Sequence, residues 1–343
     1  MNKKYTVIQV GFGPMGKLIT KLLLKRKNID LKGVVDLDPQ FYGKKLSNFF
    51  DIKDEEDLII ESNLGTIISK EEVDVTIIAT SSSLEKISPI IKEAVKSRSN
   101  VISLCEELSY PFDYFPKLSE ELHQLAKSQN VSIVGTGINP GYLMDLLPIV
   151  ITAPCQSVKS IKVTRMMNSA KRRESFQRKI GTGLSIEEFT QKIRDKEITG
   201  HVGLVQSIQM IIAALGIDYD EISEFPPSAI ISNKEFITSY GVTVPKGHVG
   251  GLQSKAIAKK QEKDIIILDF VAFAGDHEEF DSIIIEGNPN IHQKIIGGVH
   301  GDIGTAAIVA NLIPNIIDAK PGLLTMKDLP VPYYTESKWK KSN

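Results

Sequence analysis

Gly11-Phe12-Gly13-Pro14-Met15-Gly16 is the segment whose residue types and spacing most directly specify a chemistry. An apolar, strand-like run, Tyr5 to Val10, precedes it, and a helix-like stretch, Met15 to Lys25, follows. Asp36 stands at the end of a second apolar run, Leu31 to Val35, about twenty residues after Gly16. A βαβ unit that binds a dinucleotide needs these parts in this order. Gly11 allows the tight turn, Gly13 lets the backbone approach a pyrophosphate, and Gly16 lets helix and strand pack closely. The diphosphate then lies against the N–H groups of the helix N-terminus, where the macrodipole favours negative charge. All six residues are therefore candidates for cofactor binding. Asp36 can accept hydrogen bonds from the adenosine ribose hydroxyls and repels a 2′-phosphate, which favours NAD. Lys44 and Lys45 are close enough in sequence to neutralise a phosphate, so NADP stays open.

The elements that must position this turn alternate. Up to about residue 140, strand and helix character follow one another, which predicts a parallel sheet with helices on both faces. Val75 to Ala79 reads as a buried strand and leads into Thr80-Ser81-Ser82-Ser83 and a helix from Leu84 to Lys96. Val101 to Leu104 is the next strand and ends in Cys105-Glu106-Glu107. A helix from Lys117 to Lys127 and a strand from Val131 to Val134 lead to Gly135-Thr136-Gly137-Ile138-Asn139-Pro140-Gly141. Ligands of open α/β sheets lie beyond the carboxyl ends of the strands. The glycine turn, Thr80 and Ser81, the two glutamates and the Thr136–Pro140 loop should therefore face one crevice. Asn139 is a candidate either for a ligand amide or for an Asx-type turn before proline.

Beyond Tyr142 the pattern changes. Val158 to Met166, Glu235 to Val244, Ile265 to Ala274 and Asp281 to Glu286 read as strands, with a helix from Ile186 to Arg194. Such a run predicts a mainly antiparallel sheet with helices to one side. A late helix, Ile303 to Ile317, is expected to start after Asp302 as N-cap, with Pro314 kinking it or ending it early. The expected fold is α/β: a Rossmann-type parallel-sheet domain over residues 1–141, onto which 302–343 packs back, and an α+β domain over 142–301.

Composition narrows the function classes. With 343 residues, 42% hydrophobic and 24% charged, the chain has the make-up of a soluble globular protein of two domains. A formal net charge of −1 offers no electrostatic case for nucleic acid or a membrane surface. The opening Met1-Asn2-Lys3-Lys4 leads directly into the first strand, so a cytoplasmic location without a signal peptide is expected. Cys105 and Cys155 make neither a disulfide framework nor a zinc pattern, and no metal is expected.

Across nearly its whole length the chain resembles the 2,4-diaminopentanoate dehydrogenases and related native amine dehydrogenases, whose nucleotide domain is like that of dihydrodipicolinate reductase. Besides the glycine turn and Val35-Asp36-Leu37-Asp38-Pro39, the likeness is carried by Cys105-Glu106-Glu107-Leu108-Ser109-Tyr110-Pro111 and Gly135 to Asp145. It continues in Gln177-Arg178-Lys179-Ile180-Gly181-Thr182-Gly183, Gly200-His201-Val202-Gly203, Gly297-Gly298-Val299-His300-Gly301-Asp302 and Pro321-Gly322-Leu323-Leu324-Thr325-Met326. The resemblance implies NAD(P)-dependent oxidative deamination of a primary amine, with 2,4-diaminopentanoate giving 2-amino-4-oxopentanoate and ammonia, and a homodimer. The paired-histidine motif of dihydrodipicolinate reductase has no counterpart here. Glu107 stands where related sugar oxidoreductases carry a lysine.

Such a reaction asks for a carboxylate beside the nitrogen, to take the ammonium proton, stabilise the developing cation and activate water. Glu106 and Glu107 are the catalytic candidates; adjacent residues at a strand end point to opposite sides, and the resemblance favours Glu106. Asn139 is then a candidate for the nicotinamide carboxamide or the substrate nitrogen. Met144, Arg165, Asn168, Phe176, Thr182 and His201 are candidates for substrate binding. Lys171, Arg172, Arg173, Arg178 and Lys179 make a locally basic run. Two readings stay open for the polar stretch of Arg165, Asn168, Arg172, Arg173, Gln177, Arg178 and Lys179: a substrate carboxylate clamp, since Arg pairs bidentately, or a solvated strand-and-loop face. Met166, Met167 and Phe176 point instead to an apolar pocket for a simple amine. Two further functions fit the same scaffold: a reductase of a cyclic imine or semialdehyde, which would place a Lys or His donor in the crevice, and a nucleotide-sensing regulator, which would need no carboxylate there.

Overall fold

The structure is a computed structural model and describes residues 4–52, 57–171, 174–275 and 277–335. The chain divides into two compact units, Met1–Tyr142 with His300–Asn343, and Leu143–Val299.

In the first unit the short apolar runs become strands buried on both faces, as a parallel sheet requires. They are β1 (Tyr5–Val10), β2 (Ile29–Val35), β3 (Ile60–Glu61), β4 (Val75–Ile78), β5 (Asn100–Ser103) and β6 (Ser132–Gly135). A last strand, β15 (Gly322–Leu324), pairs with β6, and the seven-stranded order is β15-β6-β5-β4-β1-β2-β3, every pair parallel. The order reverses between β1 and β4, the switch point at which such sheets bind ligands. Register aligns the carboxyl ends. Val10 lies opposite Val35 and Ile78, Ile78 opposite Ser103, and Ser103 opposite Gly135. Residues that follow β4, β5 and β6 line a crevice there, together with Met15 of the helix after β1.

Helices α1 (Pro14–Lys25), α3 (Leu84–Lys96) and α4 (Pro116–Gln129) bury one stripe each; in α1 it is Gly16, Ile19, Thr20 and Leu23, the spacing of one helical face. A short helix, α2 (Gly65–Ile68), lies between β3 and β4. Helix α9 (Gly301–Ile317) packs on α1 and reaches β4, β5 and β6. Its start differs from expectation. His300, not Asp302, is the N-cap, its Nδ1 accepting from the Ile303 N–H at 3.5 Å, and Asp302 sits in the first turn. Nor does Pro314 end the helix. Ile313 and Ile316 on either side are fully buried, and that packing outweighs the one backbone hydrogen bond a proline removes.

The second unit carries a six-stranded sheet among its described residues. Its strands are β7 (Ser157–Asn168), β8 (Glu221–Ile231), β11 (Val249–Lys260), β12 (Lys263–Phe273), β13 (Phe280–Asn288) and β14 (Ile291–Ile296), in the order β14-β13-β7-β12-β11-β8. All pairs are antiparallel except β7 with β12. The expected strand from Glu235 to Val244 is instead a tight hairpin of β9 (Phe236–Ile237) and β10 (Thr243–Val244), because the chain turns at Thr238 and Gly241, the latter at φ +80°. Helix α8 (Leu204–Leu215) covers part of β8, β11 and β12 and packs on α5 (Leu146–Ile151). The remaining helices are α6 (Glu174–Lys179) and α7 (Ile186–Arg194), the latter opened by a Ser185/Glu188 capping box.

Arg165 and Asp281 face each other across β7 and β13, Nη1 to Oδ1 at 3.2 Å, and both are nearly inaccessible. Arg165 Nη2 also donates to the Val299 carbonyl at 2.7 Å, while the Val299 N–H donates to Asp281 at 2.8 Å. Burial pushes the Asp281 carboxyl up, against the pull of Arg165 and the Val299 amide. Arg165 therefore does not present an open clamp, since an internal carboxylate and a carbonyl take its fork. Removing one partner of a buried pair strands the other charge, so Arg165→Met should lower unfolding stability by about 3–5 kcal/mol in urea titrations. An open clamp would predict little change.

Candidate active site

The three glycines of the first turn meet three different surroundings. Gly11 has φ +92°, and a Cβ there would lie 2.5 Å from the Ala79 carbonyl oxygen. A Cβ on Gly16 would lie 1.9 Å from the Gly11 carbonyl oxygen, so β1 and α1 can meet only if residue 16 has none. Gly13 is open, with nothing within 4 Å of a Cβ position. It is also the N-cap of α1, with no side-chain cap and no acidic residue in the first turn, so this helix N-terminus suits an anionic diphosphate. The Phe12 ring turns inward, against Phe41, Phe49 and Phe50, leaving only its backbone at the turn. The Phe12 N–H donates to Asp36 Oδ2, and the Asp38 N–H donates to Oδ1 at 2.8 Å. Each carboxylate oxygen keeps a lone pair for a ribose hydroxyl. Lys45 pairs with Asp57 at 3.3 Å.

A crevice of about 280 Å³ opens at the strand ends, lined by Met15, Thr80, Ser81, Glu106, Thr136, Asn139 and, from α9, Asp302 and Thr305. Thr305 also holds the loop after β6, accepting from the Ile138 N–H at 3.2 Å. The two glutamates separate. Glu106 lines the crevice, whereas Glu107 Oε2 accepts from the Leu84 N–H at 2.7 Å and caps α3, whose own N-cap Ser83 supplies no side-chain bond. Cys105 between them and the sheet donates to the Ser82 carbonyl at 3.0 Å. Burial pushes its thiol up to about 12, which leaves it a thiol and no nucleophile. Gly135 lets the 106–109 turn rest on β6, since a Cβ there would lie 2.5 Å from Leu108. The sequence reading missed Thr305 and gave Asp302 mainly a capping role; the signal was their spacing of three on one helix face.

The model of the 2,4-diaminopentanoate dehydrogenase C-terminal domain matches residues 142–343. A 2,4-diaminopentanoate dehydrogenase of Acetoanaerobium sticklandii is 33% identical over 96% of this chain and 94% of its own. The chain belongs to the 2,4-diaminopentanoate dehydrogenase family. It is thus an oxidoreductase working with a nicotinamide cofactor. At the level of fold, an amine dehydrogenase from Mycobacterium smegmatis superposes with a TM-score of 0.83 at 20% identity, covering 98% of this chain and 99% of its own. A dihydrodipicolinate reductase from Paenisporosarcina sp. TG-14 gives 0.53 at 11% identity, over 94% and 98%. No helix among the described residues is long and apolar enough to cross a membrane.

The second unit of this dehydrogenase uses several candidate residues internally. Met144 is fully buried and lines a closed crevice beside Arg165 and Asp281 with no room for water. The Asn168 side chain donates to the Gly275 carbonyl and accepts from the Ala170 N–H, both at 2.9 Å, so it organises its own loop. Arg178 pairs with Glu174 on the surface. Arg172 and Arg173 lie outside the described residues, as does the side chain of Lys171. Phe176 is half-buried on α6, and Thr182 Oγ1 is buried with no hydrogen-bond partner among the described residues. His201 stacks on Phe270 with ring centroids 4.3 Å apart, and burial, helped by Arg165 and Lys179, pushes its imidazole down to about 3. It is neutral at physiological pH.

Two expectations follow from these surroundings. Gly13→Ala should fold as the parent does and bind NADH more weakly by about tenfold or more, while Gly16→Ala should lose several degrees of thermal midpoint. Fluorescence titration and thermal melts check both. His201 stays neutral in the folded state down to about 3, whereas unfolded it protonates near 6.5. Its stabilising contribution is present above 6.5 and is lost as pH falls, by about 2 kcal/mol at pH 5. His201→Gln should therefore flatten the fall in thermal midpoint between pH 7 and pH 5.

Proposed function

We propose that the enzyme catalyses NAD(P)-dependent oxidative deamination of a primary amine, with 2,4-diaminopentanoate as substrate and 2-amino-4-oxopentanoate and ammonia as products. The observation that carries this is the placing of Glu106 in the crevice while the neighbouring Glu107 is spent on capping α3. A nicotinamide, when bound, accepts the hydride from the amine carbon. Gly13 and the open end of α1 would hold the diphosphate, and Asp36 the adenosine ribose. Glu106 takes the ammonium proton, so that the nitrogen lone pair can assist hydride loss. Once that proton has passed to solvent, the carboxylate accepts a proton from the water that adds to the iminium carbon. The C–N bond of the resulting carbinolamine then breaks to release ammonia and leave the ketone. Thr80, Ser81 and Asn139 stand beside it for the ribose and carboxamide. NAD is favoured over NADP, because Asp36 repels a 2′-phosphate and Lys45 is engaged by Asp57.

Among the described residues that line the crevice there is no Lys or His, the donor an imine or semialdehyde reductase would use. NAD(P)H formation with 2,4-diaminopentanoate, run beside 2-aminopentane at alkaline pH, tests the assignment. Turnover of the diamino acid alone supports it; turnover of the plain amine alone replaces the substrate; turnover of neither overturns the amine reading. Glu106→Gln should lower kcat by about 10²–10⁴-fold with NADH affinity retained. Glu107→Gln, which keeps an acceptor for Leu84, should stay within about tenfold of the parent.

A further inference from the structure

Gln9 is a polar residue in the most buried part of β1, fully inaccessible between Ile8 and Val10. Its Nε2 donates to the Val10 and Gly11 carbonyls, both at 3.0 Å. Its Oε1 is buried and has no hydrogen-bond partner among the described residues. A buried amide oxygen without a partner is destabilising, and an aliphatic side chain of the same length would avoid it. Packing therefore does not account for glutamine here; the donor end does.

The Gly11 carbonyl and the Phe12 N–H are two ends of one peptide group. Gln9 holds the carbonyl end and Asp36 Oδ2 accepts from the N–H end, so one side chain on β1 and one just beyond β2 fix the rotation of that peptide. The same Gly11 carbonyl lies where a side chain on residue 16 would go, and the open backbone of Gly13 comes one residue after Phe12. Any tilt of this peptide would move the turn and the ribose-facing carboxylate together.

We propose that Gln9 is a positioning residue for the dinucleotide, setting the Gly11–Phe12 peptide so that the glycine turn and Asp36 meet the cofactor already arranged. The proposal rests on the dinucleotide reading of the site. Its energetic basis is preorganisation: a peptide fixed before binding need not be ordered during it.

NADH titration of the full-length protein tests this with Gln9→Met, Asp36→Asn, the double variant, and Ile133→Val as a core control on β6. Gln9→Met should raise the Kd for NADH about tenfold and leave kcat at saturating cofactor within about twofold. The double variant should fall short of the product of the single effects, because both act on one peptide. An unchanged Kd, a multiplicative cycle, or an equal loss of affinity in Ile133→Val at a matched thermal midpoint would each overturn the proposal. Gln9→Leu is the second variant should Gln9→Met not fold, and failure of both would assign Gln9 to the core instead. Absence of NADH binding by the parent is a separate outcome that removes the dinucleotide reading itself.

Discussion

The close approach of residue 16 to the carbonyl of residue 11 is the constraint on which the first unit depends. With a Cβ position 1.9 Å from that oxygen, only glycine lets α1 begin directly beyond β1. Because α1 begins there, its N-terminus stands at the switch point of the sheet with no side chain capping it. Because α1 lies where it does, α9 has a surface to pack on, and its first turns bring Asp302 and Thr305 to the crevice. A steric demand at one backbone position thus propagates to residues almost three hundred positions away in sequence.

Carboxylates take different tasks in this chain, and the difference lies in what each accepts. Asp36 and Glu107 take backbone N–H groups and order a turn and a helix start. Asp145 is fully buried and accepts from the Leu146 N–H and the Ser207 hydroxyl, tying α5 to α8. Asp281 pairs with Arg165 across two strands. Backbone amides left uncapped are costly, so a carboxylate within reach of one is drawn to it. Glu106 lines the crevice instead, and the acid–base role proposed for it rests on that placement.

The Arg165–Asp281 pair shows how burial redirects a residue whose type suggests ligand binding. An arginine on an alternating strand reads as an available fork, and its partner lies 116 residues further on. Once both are buried, the charge must be matched within the protein, and it is. Met144 follows the same logic, its position in a motif segment suggesting a pocket wall and its burial making it interior packing.

Local chemistry was legible in the sequence. Strand Tyr5–Val10 and helices Leu84–Lys96 and Ile186–Arg194 have the bounds their apolar spacing and flanking signals predict, and the glycine turn with its spaced acid needs only neighbouring residues. The convergence of four strand-end loops also followed, because a parallel sheet must align its carboxyl ends. Less legible were α8, whose apolar surface on all sides blurs its period, and β8, β11 and β14, whose pairing is non-local. Which carboxylate lines the crevice, which arginine is matched internally and which residue caps α9 were decided by tertiary structure. Each depends on the distance between groups far apart in the chain and on how much water reaches them, and neither quantity is set by local sequence.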